Sequence, residues 1–236
     1  YQFLLRGQVI AVGEVMPGHW MAMNTANSSV VLKGVPTTEP VFKLPATWVD
    51  EVERRNAEMA GYTVVDASSV MVTHLSESVR RYAYQILTRQ DVQALMDNLK
   101  DEHPALINEL IPNMLNIGQI QRILQNLLAE VIPIRNLVGI LERVADHAAA
   151  TKNPDELSEQ ARRVLGSEIV KPFLTDENEV RAVTMEPWLE EEIAKGLQKS
   201  ATESVLYMDP KLAQHMTHHL ATAVQPMIGA GQQPVV

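Results

Sequence analysis

Gly61–Glu77 reads GYTVVDASSVMVTHLSE. The β-branched run Thr63-Val64-Val65 favours an extended chain. Asp66 and Ala67 turn it, and a long helix is expected from near Ser68. Val72, Leu75, Val79, Tyr82, Ala83 and Ile86 recur at spacings of three and four, which predicts one buried helical stripe. Thr73 lies off that stripe, beside Ser69, Ser76, Glu77 and Arg80, and Glu77 is spaced to pair with Arg81. Strand-like sequence precedes this joint and almost unbroken helix follows it.

Upstream, Tyr1–Leu5 and Gln8–Val12 flank Arg6-Gly7 as a β-hairpin, with Gly7 supplying the positive φ of a tight turn. Trp20–Met23 reads as a further strand. The polar stretch Asn24–Gly34 reads as a loop carrying a short strand at Val30-Val31-Leu32. Pro45 suits the first turn of a helix whose inner face would hold Trp48, Val49, Val52 and Met59, with Gly61 just past its end. Tyr62–Val65 then returns as a strand, so a small α/β module is expected.

Downstream, Thr88 with Asp91 and Asn116 with Gln119 are spaced as capping boxes. Val92, Leu95, Met96 and Leu99 form one stripe. The run Ile117, Ile120, Ile123, Leu124, Leu127 and Leu128 is the strongest amphipathic pattern in the chain. Leu137, Leu141, Val144 and Ala148 repeat it, and Asn153-Pro154 caps another helix. Residues 88–166 therefore read as a helical domain with short connections. Pro172–Asn178 reads as a linker, Val180–Met185 as a strand, and Pro187 and Pro210 each open a helix.

The bulk composition narrows the function classes. The chain has 236 residues, 46% of them hydrophobic and 21% charged, with a net charge of −9. Such a chain supports a packed core, and its acidity gives it no general attraction for nucleic acid or anionic lipid. It contains no cysteine, hence no disulfide, thiolate metal site or thiol nucleophile. No window reaches the roughly 18–20 apolar residues of a membrane span. Tyr1 at one end and the apolar Pro234-Val235-Val236 at the other suggest a piece of something longer.

Sites for covalent chemistry are sparse. There is no phosphate-binding G-x-x-x-x-G-K-[ST], no G-x-G-x-x-G and no G-x-S-x-G elbow. His74 lies near Ser76 and Ser78, but helical spacing aims it at neither hydroxyl. His215, His218 and His219 form the one histidine cluster. His215 and His219 could face a single metal ion, yet a complete ligand set is missing, and Leu212, Met216 and Leu220 place them beside an apolar stripe. Glu190–Glu192 suits a solvated helix start. Phe42 stands apart: one of three phenylalanines, in a loop bracketed by Pro40 and Pro45, it belongs to no helical stripe and could anchor a protein contact.

LRG at 5–7, GEVMPGHWMA at 13–22, EPVFKLPATWV at 39–49, GYTVVDASSVMVTHL at 61–75, LTRQDVQALMD at 87–97, LQNLLAEVIPIRNLVGILERVADHA at 124–148 and KNPDEL at 152–157 occur together and in order. In this the sequence resembles the cytoplasmic region of the FlhA family, the FHIPEP family of flagellar type III export-gate proteins. The resemblance implies an α+β, multi-domain fold. A split α/β core would take residues 1–17 and 67–86, with an inserted ferredoxin-like unit at 18–66. A helical domain would follow at 87–166 and a truncated C-terminal α/β domain at 167–236.

The resemblance also implies a function without covalent catalysis, metal or cofactor. Such a protein docks export chaperones carrying flagellar substrates, helps pass the substrates to the channel, and works with other export-apparatus proteins within a nine-membered ring. The full-length protein would sit in the bacterial inner membrane, joined through a preceding region, with this part facing the cytoplasm. The family's docking groove, carried over by motif, puts its acidic residue on Glu39, its aromatic on Phe42 and its threonine on Thr73. Its apolar wall falls on Val65 and Met23. Lys43 stands where members commonly have glycine. The alternatives are the homologous gate of a virulence secretion system, a ring subunit without a chaperone site, and a metal-dependent enzyme built on the His215 cluster.

Overall fold

The computed structural model describes residues 1–26, 28–200, 204–229 and 234–236. The chain divides into two compact units, Tyr1–Ile86 and Leu87–Val236.

The first unit begins with the expected hairpin. Strands β1 (Gln2–Leu5) and β2 (Gln8–Val12) pair antiparallel across Arg6 and Gly7. Both turn residues have positive φ, 51° and 83°, the backbone that two-residue hairpin turns need. Next come β3 (Trp20–Met23), β4 (Val35–Thr38), β5 (Pro45–Val49), helix α1 (Glu51–Met59) and β6 (Thr63–Asp66). The four strands form one sheet in the order β4-β5-β3-β6, every neighbouring pair antiparallel.

Two expectations fail between β3 and β6. Pro45 opens a strand and not a helix; the helix waits for Asp50, whose carboxylate accepts from the Glu53 amide at 2.8 Å. Pro is tolerated as the first residue of a strand, and Thr47, Trp48 and Val49 prefer extended backbone. Trp48 and Val49 are buried as strand residues, while Val52 and Met59 lie in solvent and Ala57 is the residue α1 buries. The second failure is the short strand at Val30–Leu32, which does not form; the strand is Val35–Thr38.

Both faces of the sheet are covered, which is why Trp20–Met23 reads as continuously apolar. On one face Met21, Ala46 and Trp48 pack with Val70. On the other, Ala22 and Val49 pack with Ala57 of α1. The end of α1 wraps back into β6 through Gly61 at φ 83°. There Gly61 donates to the Glu58 carbonyl and Tyr62 to the Ala57 carbonyl, the two bonds of a Schellman ending.

Helix α2 (Ala67–Ile86) then runs from the joint. Its buried residues are Val70, His74 and Ser78, whereas Val72, Leu75, Val79 and Ile86 are exposed. The predicted stripe is thus a real apolar face on the wrong side. The buried spacing of four belongs to two polar residues with partners. The Ser78 hydroxyl donates to the His74 carbonyl at 2.7 Å, and His74 Nδ1 meets the Tyr1 hydroxyl at 2.8 Å. Glu77 pairs with Arg80 at 2.5 Å in place of Arg81.

The second unit follows its sequence closely at first. Helices α3 (Arg89–Glu102), α4 (Pro104–Leu110), α5 (Ile117–Ala129), α6 (Leu137–Ala148) and α7 (Pro154–Val164) enclose one core. Both predicted capping boxes are formed. Ile120, Ile123, Leu124 and Leu127 of α5 and Ile140, Leu141 and Val144 of α6 are buried together.

Beyond Leu165 none of the described residues is buried. There the short helix α8 (Gly166–Val170), α9 (Pro187–Gly196), the hairpin β7 (Leu197–Lys199) with β8 (Ser204–Leu206), and α10 (Pro210–Gly229) follow. The hairpin is tied back to α7: Asn153 donates to the Ser200 carbonyl at 2.8 Å, and the Ser204 amide donates to Asp155 at 3.0 Å. Val180–Met185 is not a strand. It has a single bridge from Val180 to Leu174 and one backbone bond from Val183 to the Val235 carbonyl, too few partners for a ladder.

Candidate functional site

The turn between β4 and β5, residues 39–44, carries the most unusual arrangement in the first unit. Thr38 faces Pro45 across the sheet, and the Glu39 amide extends the pairing by donating to the Leu44 carbonyl at 2.8 Å. The Lys43 amide then bonds the Glu39 carbonyl at 3.1 Å, closing a single helix-like turn. Both ends of that turn are capped. At the start, the Glu39 carboxylate accepts from the Val41 amide at 2.9 Å and the Phe42 amide at 2.5 Å, as an N-cap side chain does. At the end, Lys43 takes φ 59°, the left-handed conformation glycine adopts more readily. A non-glycine residue there costs on the order of 1 kcal/mol.

The result is a braced turn with its aromatic outside. Glu39 is buried at 5% exposure, while Phe42 stands 68% exposed. Lys43 Nζ folds back to the Pro40 carbonyl at 2.8 Å. An exposed phenylalanine gains nothing for stability, so its apolar ring is available to a partner.

The other predicted residues fall nearby in two groups. Met23 of β3 and Val65 of β6 are half-buried against the cluster of Met21, Ala46, Trp48 and Val70; Val65 lies directly across from Met21, so it and Met23 are diagonal neighbours on one face. Thr73 is exposed on α2, next to His74. The imidazole of His74 is held below its ordinary pKa of 6.5, first by burial, then by the positive charge of Lys43, with Glu39 opposing. Glu39, by contrast, offers no acidic rim: its oxygens are taken by the turn it belongs to.

A second group was not singled out by sequence. The rings of Tyr1, Phe3 and His74 stack within 5.1 to 5.7 Å of one another, and Gly13 makes room for them, since a Cβ there would collide with the Tyr1 hydroxyl. Burial and the charge of Glu39 raise the Tyr1 phenol above its ordinary value. With Arg6 donating to the Gln85 carbonyl at 3.0 Å, this cluster fastens the hairpin along α2. The sequence signal was the spacing Val70, His74, Ser78, hidden because two of the three are polar.

In the second unit His215 and His219 both border an apolar cavity of about 500 Å³, lined also by Met185, Trp188, Leu212 and Met216. Among the described residues no group of three or more histidine, cysteine, aspartate or glutamate side chains is placed to hold a metal ion. The rings of His218 and His219 meet edge to face at 5.8 Å. No helix among the described residues is long and apolar enough to cross a membrane.

The first unit thus carries an exposed aromatic, Phe42, on a turn braced by its own backbone and by Glu39. The FHIPEP family model matches residues 1–236, and the chain belongs to that family, which includes the export-gate protein FlhA. It is 34% identical over 227 residues to the flagellar biosynthesis protein FlhA of Bacillus subtilis strain 168, covering 96% of this chain and 34% of that protein. The chain thus spans about one third of the length of the curated relatives it matches. Its fold is similar to that of the Chlamydia pneumoniae CdsV protein, with a TM-score of 0.81 at 22% identity over 95% of this chain and 65% of that one. It is also similar to the nonameric SctV-C of EPEC, with a TM-score of 0.73 at 19% identity over 96% of this chain and 69% of that one. At these identities the structural likeness is one of fold.

Proposed function

We propose that the chain is cytoplasmic-region sequence of a flagellar type III export gate, and that it docks export chaperones carrying their substrates through the Phe42 turn. One observation carries this reading: Phe42 is exposed on a turn that is capped at both ends, so the backbone that presents its ring is held. Phe42 is the anchor, Val65 and Met23 the apolar wall, and Thr73 the polar contact on the helix side. Glu39 belongs to the same site from within. An apolar surface with one polar contact suits an amphipathic helix of a chaperone.

The layout that goes with this function has four parts. The strand order β4-β5-β3-β6 is that of a split β-α-β unit with no helix among the described residues between β3 and β4, and it supports a ferredoxin-like insert at 18–66. The bonds from Tyr1 to His74 and from Arg6 to Gln85 support a core made of 1–17 and 67–86. Residues 87–166 are the helical part and 167–236 the C-terminal α/β part. In the longer protein these would form a ring under an inner-membrane gate, with other export-apparatus proteins, and would hand substrates on without bond-making chemistry. Identity of 34% to a flagellar FlhA, against 22% and 19% to CdsV and SctV-C, favours the flagellar system over the virulence one.

Calorimetric titration of the chain with purified flagellar chaperone–substrate complexes tests the reading. Saturable binding is expected. Binding only to virulence-system chaperones would move the assignment to that system, and no binding to either would remove the docking role.

A further inference from the structure

The β1–β2 hairpin is a two-stranded sheet of its own. Such a ribbon is marginal in water, so its place depends on what ties it down. Tyr1 lengthens the ladder by one pair: its nitrogen donates to the Gly13 carbonyl at 2.9 Å, and the Gly13 amide donates to the Tyr1 carbonyl at 3.1 Å. That pair sets the Tyr1 phenol against α2, 2.8 Å from Nδ1 of His74. A second polar tie, from Arg6 to the Gln85 carbonyl, is exposed. His74 is only 7% exposed, enclosed by the rings of Tyr1 and Phe3 and by Gly13.

One proton reverses the sense of the buried tie. A neutral imidazole with its hydrogen on Nε2 leaves Nδ1 bare to accept the phenol O–H. An imidazolium carries hydrogen on both nitrogens, so Nδ1 must donate and the phenol must accept. The phenol's own hydrogen then loses its acceptor, in a spot where the hydroxyl fills the space a Gly13 Cβ would need. The charge itself is opposed first by burial and then by Lys43, while Glu39 favours it. The remaining charged groups around it are the Tyr1 amino group, bonded to the Gly13 carbonyl, and Glu77 one turn along α2, paired with Arg80.

We infer that His74 is a pH-sensitive latch for the hairpin. Its neutral Nε2–H form accepts the Tyr1 hydroxyl and holds the hairpin on α2, and a proton on Nδ1 frees the hairpin while the β4-β5-β3-β6 sheet stays folded. Docking of the hairpin disfavours the proton, so by linkage the proton disfavours docking. The latch is closed above about pH 6.5 and opens as pH falls from there. None of this depends on the proposed docking of chaperones.

NMR of the imidazole nitrogens and amide hydrogen exchange, both on the whole chain between about pH 8 and about pH 5, test the latch. At the upper end His74 should show a bare Nδ1 and a protonated Nε2. Exchange, corrected for its intrinsic pH dependence, is followed at Gly13 and at the paired amides of β1 and β2. Their protection should fall by up to about ten-fold for each pH unit as His74 titrates, the effect of one proton, while β3, β5 and β6 keep theirs. His74→Asn, whose amide oxygen can stand where Nδ1 does, should hold hairpin protection level between about pH 7.5 and about pH 5.5. Tyr1→Phe should move the His74 titration upward, because the bare Nδ1 has lost its donor.

A neutral His74 with its hydrogen on Nδ1 would overturn the latch, since the phenol would then accept at every pH. So would hairpin protection that ignores the His74 titration, or that falls only together with the protection of the sheet. Acid loss of protection that persists in His74→Asn would place the sensitivity on another group and overturn it as well. A Tyr1→Phe variant in which His74 titrates at the same pH or lower would do the same.

Discussion

Helices α2 and α5 carry the same kind of apolar pattern and end in opposite situations. In α5 the residues at spacings of three and four, Ile120, Ile123, Leu124 and Leu127, form the centre of the second unit's core. In α2 the equivalent residues Val72, Leu75 and Val79 are exposed, and the buried side is Val70, His74 and Ser78. Periodicity tells which residues share a face. What covers a face is decided by the rest of the fold. In α5 four other helices supply that cover. In α2 the sheet and hairpin take the polar side, where His74 meets the Tyr1 hydroxyl and Ser78 bonds back to the His74 carbonyl of its own helix, so that their burial costs little.

The sharpest way to break this comparison is to truncate one residue on each helix. Leu124→Ala should cost about 3 kcal/mol in the second unit, from lost transfer energy and the cavity left behind, as read by denaturant unfolding. A smaller effect is expected at the start of the same helix. Asn116→Ala removes the side chain that caps the Gln119 amide and should cost about 1 kcal/mol.

His74 gives a pH-dependent contrast. Burial and Lys43 depress its pKa below 6.5, so the folded state binds fewer protons than the unfolded one in the range beneath that value. The stability it supports is therefore present above about pH 6.5 and is lost as pH falls from there through the folded value. Denaturation of the wild type at about pH 7.5 and about pH 5.5 should show a steeper acid loss than His74→Asn does. Smallest of all, Val79→Ser on the exposed face of α2 should change stability by no more than about 0.5 kcal/mol. A loss of Leu124 size at Val79 would show that its face is covered in solution.

These contrasts also explain what the sequence could reveal. The helical part was legible because its signals are local: Thr88 with Asp91, Asn116 with Gln119, and Asn153 before Pro154 each place a helix start within a few residues. Pro45 misled because proline suits both the first turn of a helix and the first residue of a strand. Val35–Thr38 escaped because it is an edge strand containing Pro36, without apolar alternation. Phe42 stood out in the sequence as an aromatic outside every stripe, and it is exposed. That Glu39 turns inward to cap the same loop was not legible, since nothing in a sequence distinguishes a carboxylate that meets solvent from one that meets its own backbone. The Tyr1–His74 contact spans the whole first unit, and no local pattern announces it.

The central claim is that Phe42 is presented for docking and does not help hold the fold. The most direct test is calorimetric binding of a purified flagellar chaperone–substrate complex to the wild-type chain and to Phe42→Ala, with thermal unfolding of both. The expected result is a loss of affinity of ten-fold or more, equivalent to about 1.4 kcal/mol or above, with an unchanged unfolding midpoint. Equal affinity in a well-folded Phe42→Ala variant would contradict it.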